Sequence, residues 1–267
     1  MNNMHETNQK HWDAASPDWE RLRDNDGGWR RCPQEPSLAF EGTALDMIRE
    51  FVGELRGKSV CVIGSGDNYA SFALAGLGAT VTLADISEKQ LAVAAKRASK
   101  LGLDILFVRS DAVDLSQLPA AGFDMVCSTN GFFVWIADLV GVFAAVSRVL
   151  RPGGYYIFYD VHPFMRPWEN RTAIEMKKPY FETGPFQSGS PDDPNYEFHW
   201  TIGDILNAPL KAGMEVRRIA ESPARDSRFW QGSSYEHRTD ESVLDWHDNP
   251  RAGLPVWLTV AAKKPRV

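Results

Sequence analysis

The chain has 267 residues, enough for one large domain or one domain with an appended cap, and enough to bury a sizeable core without staples. Its 29 basic and 35 acidic side chains leave a net charge of −6, and no Lys/Arg-rich block supplies the basic stripe that a phosphate backbone needs, so no nucleic-acid partner is expected. Nine Trp, fourteen Phe and seven Tyr bring the aromatics to 11%, more than packing requires.

The cysteines Cys32, Cys61 and Cys127 are odd in number, far apart and form no C-x-x-C pair, which argues against a disulfide framework or a Cys-based zinc site. No H-x-x-x-H pattern or carboxylate cluster points to another metal, so none is expected. The N-terminus is polar and charged, and no run approaches the ~18 apolar residues of a spanning helix. Neither a signal peptide nor a membrane span is therefore expected, and the cytoplasm is the default compartment.

The predicted elements open with a polar segment over 1–40 that holds Trp12, Trp19 and Trp29 and reads as a cap of one or two helices. From residue 58 short apolar runs alternate with helical stretches, the pattern of a parallel sheet with crossover helices. A strand is expected over 58–63, a helix over 68–77 stopped by Gly78, and a second strand over 79–84. Ser87 stands as the N-cap of a helix that ends at Gly102. Strands follow over 105–109 and 123–128, then a helix over 139–150 closed by Arg151-Pro152-Gly153-Gly154, then a fifth strand over 155–160. Residues 163–194, rich in Pro, Gly, Ser and charge, read as a long excursion over one end of the sheet. A helix over 197–212 and strands over 214–221 and 256–262 complete the series; a polar stretch between those strands carries Trp230, Tyr235, His237, Trp246 and His247. The expected division is a cap segment over 1–40 and a domain over 41–267 with insertions at about 163–196 and 222–253.

The most informative stretch is Gly64-Ser65-Gly66-Asp67-Asn68, directly after a strand and opening a helix. Glycines there let the backbone turn sharply and approach a ligand, with the free N–H groups of the helix start facing it. Asp85 closes the next strand, where a carboxylate can accept both hydroxyls of a ribose or simply cap the helix at Ser87. A dinucleotide site wants a third glycine three residues after the second, and here that position is Tyr69, which argues against NAD. After the third strand comes Ser110-Asp111-Ala112, where Asp111 can bond an adenine amino group or cap a short turn. Asn130-Gly131-Phe132 follows the fourth strand, at the switch point of the sheet.

With VCVIGSGDN (60–68), VTLADIS (81–87), VRSDAVDL (108–115), FDMVCSTNG (123–131) and LRPGGYYIFYD (150–160) in order, the chain resembles the class I S-adenosylmethionine-dependent methyltransferases over roughly residues 40–162. The resemblance implies an α/β fold: a doubly wound, mostly parallel seven-stranded sheet of order 3-2-1-4-5-7-6 with strand seven antiparallel, here with an N-terminal helical cap and insertions after strand five. It implies S-adenosyl-L-methionine as cofactor and S-adenosyl-L-homocysteine as product. It places Gly64, Ser65 and Gly66 under the methionine moiety, Asp85 and Ile86 at the ribose and one adenine face, Asp111 and Ala112 around the adenine, and Asn130 and Gly131 beside the methyl-transfer channel. Two positions depart from the family pattern: Val62 replaces an acidic residue in strand one, and Asn68 stands where a third glycine often does. Asn tolerates positive φ, so the turn can still form, and Asp67 is a substitute anchor for the methionine amino group.

Methyl transfer from a sulfonium needs a general base only if the acceptor must lose a proton. His162, just beyond the fifth strand, is the candidate, or else a structural turn; His199 and His237 are weaker. The aromatic excess falls mostly outside the core, so Trp12 and Trp19 are expected at the cofactor or acceptor, and the acceptor is expected to be a small apolar or planar molecule. The rival readings are an NAD-dependent oxidoreductase, disfavoured by Tyr69 and by the lack of a Tyr-x-x-x-Lys pair, and a non-catalytic cofactor-binding protein of the same fold.

Overall fold

The computed structural model describes residues 3–230 and 240–266, so His237 and Tyr235 lie outside the described residues. The N-terminal part holds α1 (Asn3–Asp26), α2 (Gly28–Arg31) and α3 (Ala44–Phe51). Next come β1 (Ser59–Ile63), α4 (Ala70–Gly76), β2 (Thr80–Asp85), α5 (Glu88–Leu101), β3 (Ile105–Arg109) and β4 (Phe123–Ser128). The remainder is α6 (Leu139–Val149), β5 (Leu150–Val161), β6 (Phe186–Ser190), β7 (Asp193–Glu197), α7 (Ile202–Lys211), β8 (Glu215–Ser222) and β9 (Trp257–Lys263).

The main sheet has seven strands in the order β3-β2-β1-β4-β5-β9-β8. Pairing is parallel from β3 to β5 and antiparallel where β9 meets β5 and β8. With the separate β6–β7 hairpin set aside, this is the 3-2-1-4-5-7-6 arrangement. β1, β4 and β9 are buried along nearly their whole length, as strands covered on both faces must be. One face carries the cluster around Met47, Phe72, Leu83 and Ala94; the other carries Phe133, Val142, Phe143 and Phe158. Strand order reverses between β1 and β4, which opens a crevice at the carboxyl ends of these strands, the usual ligand position in such sheets.

Helix ends follow local chemistry. Ser87 Oγ accepts from Gln90 N to start α5, and Gly102 closes it at φ 66°. Three boundaries differ from the sequence pattern. Strand five begins at Leu150, because the Arg-Pro-Gly-Gly run is drawn into extended backbone beside a bulge opposite Phe123 and Met125. The helix expected from 197 starts at Ile202, where Thr201 and Asp204 form a reciprocal cap, while Glu197 pairs with Phe186 in the hairpin. The excursion over 163–194 is partly ordered as β6 and β7.

α1 is a polar helix, and the residues it buries are His5, Asn8, Ser16 and Arg23. Side-chain pairs therefore hold it to the core in place of apolar burial. Asn8 pairs with the Tyr196 backbone like a strand residue, its Nδ2 donating to the carbonyl at 2.9 Å and its Oδ1 accepting from the N–H at 2.7 Å. Asp13 accepts from Ser87 Oγ at 2.6 Å. No described helix is long and apolar enough to cross a membrane.

Candidate active site

The loop after β1 turns through Gly64 (φ 59°) and Gly66 (φ 51°), a left-handed geometry that costs glycine little. A Cβ on Gly64 would lie 2.3 Å from the Phe132 ring, so this approach of backbone to the β4 loop also requires glycine. Asp85 ties the turn to the next element: Oδ2 accepts from Gly66 N and Oδ1 from Ser87 N, each at 2.8 Å. Burial raises its pKa against the lowering pull of the Ser87, Gly66 and Ile86 N–H groups. Asp85 braces the start of α5, as its capping reading has it, and it also lines the cavity above the strand ends.

That cavity collects eleven residues singled out in the sequence: Trp12, Gly64, Ser65, Gly66, Asn68, Asp85, Ile86, Asp111, Ala112, Asn130 and Gly131. Trp135 joins them, and so do His5, Asn8, Arg23, Gln90 and Thr129, which had not been anticipated. Their positions follow from the docking of α1 and from loop geometry, for which no local motif exists. Nε2 of Gln90 is buried and has no hydrogen-bond partner among the described residues. A buried orphan donor beside the Asp85 carboxylate suits a hydroxyl-bearing ligand.

Four expectations need correction. Asp67 lies away from the cavity; it is fully buried and ion-paired with Arg97 and Arg23, so it cannot anchor a ligand amine. Asn68 does not adopt positive φ; its Oδ1 accepts from Tyr69 N at 2.8 Å and its Nδ2 donates to Thr129 Oγ1 at 3.2 Å. Trp19 is corrected only as a cofactor contact, since it lines not this cavity but an adjoining one. His162 lines neither: its side chain is fully buried, Nε2–H donates to Glu221 Oε1 at 2.8 Å, and Nδ1 accepts from Phe164 N at 3.2 Å. With both ring nitrogens engaged, this imidazole is the structural turn and not an accessible base.

Asp160 shapes the far wall. Its carboxylate accepts from the N–H groups of Gly131 at 2.7 Å and Phe133 at 2.8 Å, which fixes the loop after β4. Burial raises its pKa, against the opposing charge of Arg166.

The adjoining cavity measures about 450 Å³, against about 120 Å³ for the first. Trp12, Arg23, Asn68, Asn130, Gly131 and Trp135 border both, so the two spaces share a partition. Trp12 packs edge-on to Trp135 at 5.3 Å between ring centroids and against Trp19 at 6.1 Å. The remaining wall of the larger cavity includes Phe40, Glu41, Tyr159, Arg166, Phe229 and Trp257. Among the other tryptophans, Trp29 and Trp230 are core residues, while Trp168, Trp200 and Trp246 line neither space. No group of three or more His, Cys, Asp or Glu side chains placed to hold a metal occurs among the described residues.

Residues 61–158 match the family model of a methyltransferase domain. The ubiquinone biosynthesis O-methyltransferase of Bordetella avium is 28% identical over 124 residues, which are 46% of this chain and 51% of that protein. Its counterpart in Thiobacillus denitrificans is 34% identical over 104 residues, 39% and 44% of the two chains. The chain thus spans about half the length of the curated relatives it matches. Among solved structures, an S-adenosylmethionine-dependent methyltransferase from Mesorhizobium loti superposes with a TM-score of 0.62 at 22% identity, covering 83% of this chain and 98% of that one. A putative S-adenosylmethionine-dependent methyltransferase from Listeria monocytogenes gives 0.61 at 19% identity, covering 83% and 97%. The core therefore has the fold of the class I S-adenosylmethionine-dependent methyltransferases.

Proposed function

We propose that this protein transfers the methyl group of S-adenosyl-L-methionine to a small-molecule acceptor, releasing S-adenosyl-L-homocysteine. The observation that carries the reading is the shared partition: a cavity lined by Asp85, Gln90 and Asp111 adjoins, across Asn130, Gly131, Trp12 and Trp135, a larger one walled by aromatic rings and by charged side chains such as Arg166, Arg225 and Glu41. The name shared by the curated relatives, an O-methyltransferase of ubiquinone biosynthesis, supports a small-molecule acceptor.

The residues present fit the cofactor. Asp85 and Gln90 would hold the ribose hydroxyls, Ile86 and Ala112 the adenine faces, and Asp111 the adenine amino group. Arg23, on the partition and backed by Asp67, would take the methionine carboxylate, and the loop at Gly64, Ser65 and Gly66 would lie beneath that chain. The bound sulfonium supplies an activated methyl group, so the protein's part is to align acceptor and methyl carbon and exclude water. α1 roofs the first cavity through His5, Asn8 and Trp12 and provides the exclusion. Tyr69 disfavours a dinucleotide, because its ring packs on Gly28 and its hydroxyl donates to Asp26 at 2.6 Å, filling the space a third glycine would leave.

The test uses methyl-labelled S-adenosylmethionine with the purified protein and a cell extract separated into small molecules, protein and nucleic acid. Label entering the small-molecule fraction is the expected result. Label confined to protein or nucleic acid would overturn the acceptor class, and no transfer to any fraction would overturn the activity.

A further inference from the structure

The corrected position of His162 leaves the larger cavity without the expected base, and one side chain on its wall has the geometry for that role. Glu41 lies in the loop before α3, half-buried, and its carboxylate has no hydrogen bond or ion pair among the described residues. Nearly every other buried acid is paired: Asp67 with arginines, Asp160 and Asp85 with backbone N–H groups. The Glu41 carboxylate thus faces the cavity with Arg228 and Arg225 as its attractive charges and with its oxygens free to accept a hydrogen bond from a ligand.

Its segment also sits beside the partition. The Tyr159 hydroxyl lies 3.1 Å from Ala39 O and 3.3 Å from Asn130 Oδ1, so one phenol ring spans from the chain just before Glu41 to a residue that borders both cavities. The Phe40 ring packs on Tyr159 at 6.4 Å. The charges around Glu41 are Asp226, Arg228 and Arg225, all on the loop after β8, and burial followed by Asp226 raises its pKa. Tyr159, the titratable group facing it from β5, has its own pKa pushed well up by burial and stays a neutral donor.

We infer that the larger cavity receives a planar aromatic molecule bearing a hydroxyl, and that the Glu41 carboxylate takes the hydroxyl proton as the oxygen attacks the methyl carbon. The inference rests on the methyl-transfer reading above. The O–H bond breaks and its proton goes to Glu41; an oxygen–carbon bond forms as the sulfur–carbon bond breaks and sulfur keeps the electron pair. A neutral ether, neutral S-adenosylhomocysteine and a protonated carboxyl result, so atoms and charge balance. Bulk solvent then recovers the proton.

The experiment compares wild type with E41Q and E41D on substituted phenols and catechols, from nitro-substituted members already ionised near neutrality to alkyl-substituted ones that are not. S-adenosylhomocysteine affinity is measured for each protein in parallel. With that affinity kept within about twofold, E41Q should lose roughly 10²- to 10⁴-fold in kcat/KM on alkyl-substituted acceptors and less than about threefold on pre-ionised ones. Raising the pH should restore E41Q by ionising the acceptor in solution. If E41Q fails to bind S-adenosylhomocysteine, E41D takes its place, with a smaller loss and the same dependence on acceptor acidity. Equal losses across the series would make Glu41 structural and overturn the inference. Methylation of amines or thiols but of no phenol or catechol would overturn the acceptor class while sparing the methyl-transfer reading. Wild type that binds no S-adenosylhomocysteine would remove that reading and this inference together.

Discussion

The imidazole of His5 and the carboxylate of Asp111 meet at 2.8 Å, although 106 residues separate them in sequence. The other ring nitrogen, Nε2, accepts from Ala137 N at 2.9 Å, so the ring clasps the first turns of α1 to the loops after β3 and β4. Asp111 also accepts from Val113 N at 3.2 Å, which combines a turn-capping role with a place on the cavity wall. A roof tied by two hydrogen bonds from one side chain is a simple device for admitting and then enclosing a ligand.

His5→Ala should loosen this roof. At about 1 kcal/mol for each of the two hydrogen bonds, S-adenosylhomocysteine affinity should fall by up to roughly thirtyfold, mostly through faster dissociation. Stopped-flow dissociation and limited proteolysis of α1 check this together. An unchanged off-rate would mean that α1 does not gate the cavity.

Trp12→Ala removes a half-buried ring that borders both cavities and packs on Trp19 and Trp135. Ligand affinity should drop about tenfold while Tm moves by less than about 3 °C. Unchanged affinity with a large fall in Tm would return this tryptophan to packing.

Asp67→Ala should act first on stability. Arg97 is 2% exposed and Asp67 fully buried, and loss of the carboxylate strands the buried cation. Breaking such a pair costs about 3–5 kcal/mol. Urea unfolding measures the loss; a change under about 1 kcal/mol would show that Asp24, 3.0 Å from Arg97, suffices alone.

His162 predicts a pH dependence of stability. Burial lowers its pKa from the ordinary 6.5, against the raising pull of Glu221. A lowered folded-state value gives stability that is complete above 6.5 and is lost as pH falls through the folded value. Between about pH 7.5 and about pH 5, wild-type Tm should therefore fall more steeply than that of His162→Gln. Parallel slopes would assign the acid sensitivity to other groups.

The sheet was readable because its strands carry apolar runs bounded by turn residues. Thus β3 and β4 fall on 105–109 and 123–128. The hairpin strands FQSGS and DPNYE were not readable, since they are polar, carry Gly and Pro and in the first case are mostly exposed, and their order depends on contact with Asn8 of α1. At the site, Gly64, Gly66, Asp85 and Asp111 were legible because each sits at the end of a recognisable strand. His5, Arg23, Gln90 and Glu41 were not, because long-range docking brings them there. Asp67 misled for the converse reason: its place in the loop suggested ligand contact, but Arg97 of α5 and Arg23 of α1 claim its carboxylate.

Calorimetric titration with S-adenosylhomocysteine and, separately, with NAD tests most directly what the first cavity is for. S-adenosylhomocysteine should bind at one site with micromolar affinity or better, lose that affinity in Asp85→Ala, and leave NAD without a heat of binding. Binding of NAD with none of S-adenosylhomocysteine would contradict the assignment of the first cavity and with it the proposed methyl transfer.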